Sequence, residues 1–146
     1  MMLIGDVYHT IDPKGRYIVP ARFREALGDK FYITRGLDNC LFVYSAEAWQ
    51  VRLQALERLS VTKASQRRFL RKFLKGATEV EVDKQGRVLI PPSLREHAQL
   101  ERDIITMGMS DRLEIWSEAV WQKYDDDADD DYETLAEELA LDDFRL

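Results

Sequence analysis

Residues 16–19 alternate between two faces, with Arg16 and Ile18 on one and Tyr17 and Val19 on the other. That is the period of a half-buried strand. A strand over 8–11 leads into it through Asp12-Pro13-Lys14-Gly15. In such a turn the Asp side chain accepts backbone N–H groups, Pro presets φ, and Gly takes the left-handed position at little steric cost. Pro20 stops the strand, and 21–27 reads as a short helix ended by Gly28. Apolar runs at 31–34 and 41–44, joined by Gly36-Leu37-Asp38-Asn39, form a hairpin signal. The same order of elements returns after residue 78, with Val80 and Val82 inward, Glu81 and Asp83 outward, and Met109-Ser110-Asp111 joining the last hairpin. Between the two sets, Trp49, Leu53, Leu56 and Leu59 predict a helix over 47–59. Phe69, Leu70, Phe73 and Leu74 predict another over 65–74, ended near Gly76.

The recurrence extends to individual residues. Asp12, Gly15, Arg16, Pro20, Arg24 and Glu25 return as Asp83, Gly86, Arg87, Pro91, Arg95 and Glu96, all displaced by 71. Thr34-Arg35-Gly36 and Leu41 to Ser45 match Thr106-Met107-Gly108 and Leu113 to Ser117 at a displacement of 72. One extra residue is therefore expected before the second hairpin. Each copy alone is close to the size at which one core is hard to stabilise, and Cys40, the sole cysteine, has no partner for a disulfide. The copies must share a core, or subunits must pack together. The expected units are a first repeat over 5–50, a helical insert over 51–78, a second repeat over 79–124 and an acidic tail over 125–146.

Charge changes this picture. The chain of 146 residues has a net charge of −6, but from Asp125 onward eleven acidic residues stand against Arg145 alone. The tail thus carries −10 and the remaining body about +4, with the excess of Lys and Arg concentrated before residue 77. Asp125-Asp126-Asp127-Ala128-Asp129-Asp130-Asp131 is too repulsive to pack, so the tail is expected to be disordered or conditionally ordered. It could also fold back on a basic surface. No stretch has the form of a signal peptide or the length of a membrane span, which points to a soluble cytoplasmic protein without a membrane partner.

A duplicated body with an arginine at each turn suggests a pseudo-symmetric binder of a repetitive anion, with duplex DNA the obvious partner. Arg16 and Arg87 lead the candidates, since a guanidinium offers five fixed donors to phosphate or to guanine O6 and N7. An internal ion pair, Arg16 with Asp12 or Glu25 and Arg87 with Asp83 or Glu96, would use the same residues, and the two roles are compatible. Lys14, Arg22 and Arg24 are candidates for an apron of phosphate contacts around Arg16. Lys84 and Arg95 are their thinner counterparts in the second copy, where Gln85 and Ser93 replace Lys14 and Arg22. Arg67, Arg71 and Lys75 stack at helical spacing, with Arg68 and Lys72 beside them. That stripe suits solvent, an acidic protein surface or DNA.

Catalysis finds no support. His9 and His97 have no plausible nucleophile or metal-ligand spacing around them, no phosphate-cradling glycine loop is present, and the Asp run lacks the glycine and terminal glutamate of a calcium loop. No enzyme activity, small-molecule substrate, metal or cofactor is expected. Cys40 reads as a small packing residue.

The paired Asp-x-x-Gly-Arg-x-ϕ-ϕ-Pro motifs, Thr34-Arg35-Gly36-Leu37-Asp38 and Gly76-Ala77-Thr78-Glu79 resemble the MraZ family, bacterial transcriptional regulators with two AbrB-like (SpoVT-type) domains. The resemblance covers about residues 5–124 and leaves the acidic tail outside. It implies a mainly β, α+β fold in which the two repeats interlock as a swapped-hairpin AbrB-type β-barrel. It also implies a ring-like homo-oligomer. The implied function is a nucleoid-associated repressor of the division and cell-wall gene cluster, binding short direct repeats in its own promoter region. The family's DNA-binding arginine falls on Arg16, with Arg87 its counterpart. AbrB-like folds also serve as antitoxins, so an oligomeric protein-interaction scaffold is the alternative.

Overall fold

The computed structural model describes residues 2–59, 62–127 and 131–144. The first copy contributes β1 (Leu3–Thr10), β2 (Arg16–Ile18), α1 (Ala21–Leu27), β3 (Lys30–Arg35) and β4 (Leu41–Ser45). The helices α2 (Ala46–Leu56) and α3 (Ala64–Gly76) follow. The second copy follows as β5 (Thr78–Glu81), β6 (Arg87–Leu89), α4 (Pro92–Ala98), β7 (Asp103–Ser110) and β8 (Leu113–Ser117), and α5 (Glu118–Asp126) and α6 (Tyr132–Leu141) complete the order. The fold is α+β, mostly sheet with short helices, as expected.

The copies are interlocked through their strands. In the six-stranded sheet β1-β7-β8-β4-β3-β5 every pairing is antiparallel. Strand β1 lies along β7, from Leu3 opposite Ser110 to Thr10 opposite Asp103. Strand β5 lies along β3, from Lys30 opposite Glu81 to Ile33 opposite Thr78. Each copy therefore gives its leading strand to the hairpin of the other. Strands β2 and β6 form a separate two-stranded ribbon. Pro20 and Pro91, which lack an N–H, follow closely and keep these strands short. The six-stranded order is open, with β1 and β5 at its ends, and does not close into the expected barrel.

Both sheet faces are covered. On one, the β2–β6 ribbon, α1 and α4 enclose Tyr17, Phe23, Leu27, Phe31, Ile33, Val88, Ile90, Leu94 and Ile104. On the other, α2, α3 and α5 bring Trp49, Phe73, Val120 and Trp121 against Phe42, Tyr44, Ile105 and Trp116. Full burial of a large apolar side chain contributes about 1.5–3 kcal/mol, and the first of these cores draws on both copies. Ser45 and Ser117 cap α2 and α5 alike, accepting the N–H groups of Ala48 and Val120 at 3.1 and 3.3 Å.

The pairings correct the alignment of the copies. Phe31 lies opposite Ser45 and Ile104 opposite Ser117, so Phe31 corresponds to Ile104 and Thr34 to Met107. The matching Thr-x-Gly segments are thus one residue out of register in space. Two extra residues separate α4 from β7, and the second hairpin loop is one residue shorter than the first.

This register exposes a chemical difference. Thr106 is fully buried, and its Oγ1 lies 2.6 Å from Tyr17 Oη and 2.7 Å from His9 Nε2. The related positions in the other half are Ile33, Val88 and Val80. Burial lowers the His9 pKa and raises that of Tyr17.

The tail carries helical structure among its described residues. Helix α5 runs to Asp126, and α6 is capped by Asp131, whose carboxylate accepts the Thr134 N–H at 2.8 Å. No residue of α6 is buried. Part of the 125–131 acidic run lies outside the described residues.

Candidate nucleic-acid interface

Each Asp-x-x-Gly-Arg turn is built from its own residues. Asp12 Oδ1 accepts the backbone N–H groups of Lys14 and Arg16 at 3.0 and 2.8 Å, and its carbonyl accepts the Gly15 N–H at 2.9 Å. Asp83 repeats the pattern with Gln85, Arg87 and Gly86 at 2.8, 2.9 and 3.0 Å. Gly15 and Gly86 have φ of +86° and +77°, which side-chain-bearing residues resist. Both aspartates titrate below the usual carboxylate range, chiefly through the backbone N–H of Arg16 or Arg87.

The same carboxylates hold the arginines. Asp12 Oδ2 pairs with Arg16 Nε, and Asp83 Oδ2 with Arg87 Nε at 3.0 Å. Both pairs engage the inner nitrogen of the guanidinium. Among the described residues, no hydrogen bond occupies the terminal nitrogens of either arginine. The internal brace therefore engages one nitrogen of each guanidinium and leaves a pair of outer donors, a pair able to bond guanine or phosphate bidentately.

The ribbon register puts these arginines together. Arg16 lies opposite Leu89 and Ile18 opposite Arg87, with Tyr17 and Val88 between them turned into the core. The outer face of β2–β6 therefore carries Arg16 and Arg87 on a diagonal. Lys14 and Lys84 are exposed at the two turns.

The remaining candidates are arranged differently from the expected apron. Arg24 donates from Nε to the Val19 carbonyl at 2.9 Å and flanks the second turn, with Nη2 at 4.0 Å from the position of a Cβ on Gly86. Arg95 donates to the Ile90 carbonyl at 2.9 Å and lies against Gly15, where a Cβ would meet its Nε at 2.6 Å. Each copy's helix thus backs the other copy's arginine turn. Arg22 is turned toward β1, donating to the Asp6 carbonyl at 3.3 Å beside Gly5. The basic stripe of α3 belongs to the opposite side of the sheet, because Phe73 anchors that helix in the second core.

Neither histidine faces a reactive partner: His9 is engaged by Thr106, and His97 Nε2 lies 3.3 Å from the Gly36 carbonyl. Among the described residues no cluster of His, Cys, Asp and Glu could hold a metal ion, and no helix is long and apolar enough to cross a membrane. Cys40 is buried, its thiol donating to the Leu37 carbonyl at 3.1 Å and its pKa raised by burial. The alternation over 16–19 placed Ile18 on the face of Arg16, whereas Leu89 was not singled out beside Arg87, with which it shares the outer ribbon face.

Comparison with known proteins agrees with the duplicated architecture. The family described as "MraZ protein, putative antitoxin-like" matches twice, over residues 2–72 and 73–143. A protein named transcriptional regulator MraZ from Thermoanaerobacter sp. (strain X514) is 56% identical over 138 residues, covering 94% of this chain and 96% of the relative. Relatives of the same name from Desulfitobacterium hafniense (strain DSM 10664 / DCB-2) and Alkaliphilus metalliredigens (strain QYMF) are 54% and 50% identical. These alignments cover 95% and 96% of this chain and 97% and 100% of the relatives.

Proposed function

The chain belongs to the MraZ family, and on that footing we propose that it is a sequence-specific DNA-binding transcriptional repressor of the cytoplasm and nucleoid. The observation that carries this reading is the pair of Asp-braced arginines on one outer face of a two-stranded ribbon. The major groove of B-DNA admits such a ribbon. Arg16 and Arg87, with Lys14 and Lys84 at the turns, engage base edges and phosphates, while Arg24 and Arg95 support the opposite copy's turn and add positive potential. Arg22 contributes charge at the flank.

The proposed targets are short direct repeats in the protein's own promoter region, within the division and cell-wall gene cluster. A ring-like homo-oligomer presents several ribbons to tandem repeats, so weak single contacts combine through effective concentration. The exchange of leading strands supports the swapped-hairpin arrangement that the AbrB-type resemblance implies. Phosphate contacts supply a steep salt dependence, with a slope of about −0.9 per phosphate neutralised.

Fluorescence anisotropy on the duplex upstream of the protein's own gene, against a scrambled duplex and over a salt series, tests the reading. The wild type should prefer the upstream duplex, and Arg16→Ala should lose that preference while keeping its melting temperature. Equal binding to both duplexes would remove the repressor reading. The family's antitoxin-like description and the basic stripe of α3 would then favour a protein-interaction scaffold, with affinity for acidic partners centred on residues 67–75.

A further inference from the structure

The outer face of the β2–β6 ribbon is only half basic. Ile18 and Leu89 share it with the arginines and keep 43% and 55% of their surface exposed. Their strand neighbours Tyr17 and Val88 are buried. Cross-strand pairing sets each aliphatic opposite an arginine, Ile18 by Arg87 and Leu89 by Arg16, so cations and branched hydrocarbons alternate in a checkerboard. Strand formation does not require this: a threonine or tyrosine would suit an exposed strand position equally well.

The checkerboard matches what a major groove displays. Guanine presents two acceptors to an arginine, and thymine presents a 5-methyl group, the groove's one apolar mark. Residues two apart on a strand are separated by about 6.6 Å, close to two base steps at about 3.4 Å each. Resting on the DNA-binding reading above, we propose that Ile18 and Leu89 are specificity-determining residues that pack on thymine methyl groups beside the positions engaged by Arg16 and Arg87. The preferred box then mixes guanine and thymine at short spacing. Its recognition is part hydrogen bond and part hydrophobic contact.

The test replaces every thymine of the upstream duplex by deoxyuracil, which deletes the methyl groups and keeps the base pairing. Wild type should bind the uracil duplex more weakly, by about fourfold for each contacted methyl. Ile18→Ala and Leu89→Ala should be weakened on the thymine duplex and should lose little more on the uracil duplex. Ile18→Thr, which keeps the β-branch, guards against a strand defect and should lie between wild type and Ile18→Ala. Wild-type preference for the upstream sequence with no loss on uracil would overturn the methyl contacts and leave the repressor reading intact. Losses that simply add between protein and DNA changes would do the same. Absence of any sequence preference would remove both readings together. The oligomer mass of each variant, measured by light scattering, should equal that of wild type; a smaller mass would place Ile18 or Leu89 in a contact between copies and overturn the proposal.

Discussion

The two halves of the molecule solve one packing problem with different chemistry. Where β1, β2 and β7 meet, His9, Tyr17 and Thr106 form a hydrogen-bonded set. Where β5, β6 and β3 meet, Val80, Val88 and Ile33 take the related places. The polar set draws two members from the first copy and one from the second. If β1 paired with the hairpin of its own copy, His9 and Tyr17 would face Ile33 and lose their hydrogen bonds, which costs about 1–3 kcal/mol for each buried group left unsatisfied. The difference thus favours pairing between unlike copies over pairing between like ones, a choice that duplicated sequences would otherwise leave nearly degenerate.

Four measurements would break or sharpen this comparison. The largest effect is expected at the ribbon. Arg16→Ala should weaken binding to the upstream duplex by about 10- to 100-fold, in line with 1–3 kcal/mol per bidentate base contact. Arg87→Ala should cost less, because Gln85 stands where the first turn has Lys14. Equal losses in anisotropy would mean that both copies contact DNA alike.

Next comes the polar set. Thr106→Val strands the Tyr17 hydroxyl and should cost about 1–3 kcal/mol in urea titration, whereas Ile33→Val at the related position should cost about 0.5–1.5 kcal/mol. Identical values would deny the hydrogen bonds a role in stability.

The glycine turns should separate more modestly. Alanine is strained at both, but at Gly15 its Cβ also meets Arg95 at 2.6 Å, while at Gly86 the nearest group is 4.0 Å away. Gly15→Ala should therefore melt lower than Gly86→Ala, by roughly 2–8 °C if the clash costs about 1 kcal/mol. The reverse order would show that Arg95 yields freely.

The smallest effect concerns pH. Burial lowers the folded pKa of His9 below 6.5, so the unfolded chain takes up a proton first as pH falls. Stability is then fully present above 6.5 and declines as pH drops through that value toward the folded pKa. His9→Val, copying Val80, should flatten the slope between about pH 7 and 5. An unchanged slope would assign the titration to another group.

What could be read from the sequence was what is local. Asp12 and Arg16 are four residues apart, so turn, brace and exposed guanidinium follow from one short motif. Arg24 looked like a neighbour of Arg16 because it is close in sequence, yet strand exchange carries it to the turn of the other copy. The Thr34 and Thr106 segments matched by residue type, but pairing is set by which side chains reach the core, and that places Thr34 with Met107. His9 and Thr106 are 97 positions apart, and no periodicity announces a hydrogen bond across that span.

The exchange of leading strands also sets a clock for synthesis. Strand β5 emerges when β3 is already made, but β1 emerges first and its partner β7 extends to Ser110. At about 5–20 residues per second, a nascent β1 waits roughly 5–20 s for that partner, with its edge unpaired and Leu3, which the finished fold buries, uncovered. Translation that stops before Asp103 leaves an orphaned strand, so β1, made well ahead of its partner β7, is among the last elements to be secured.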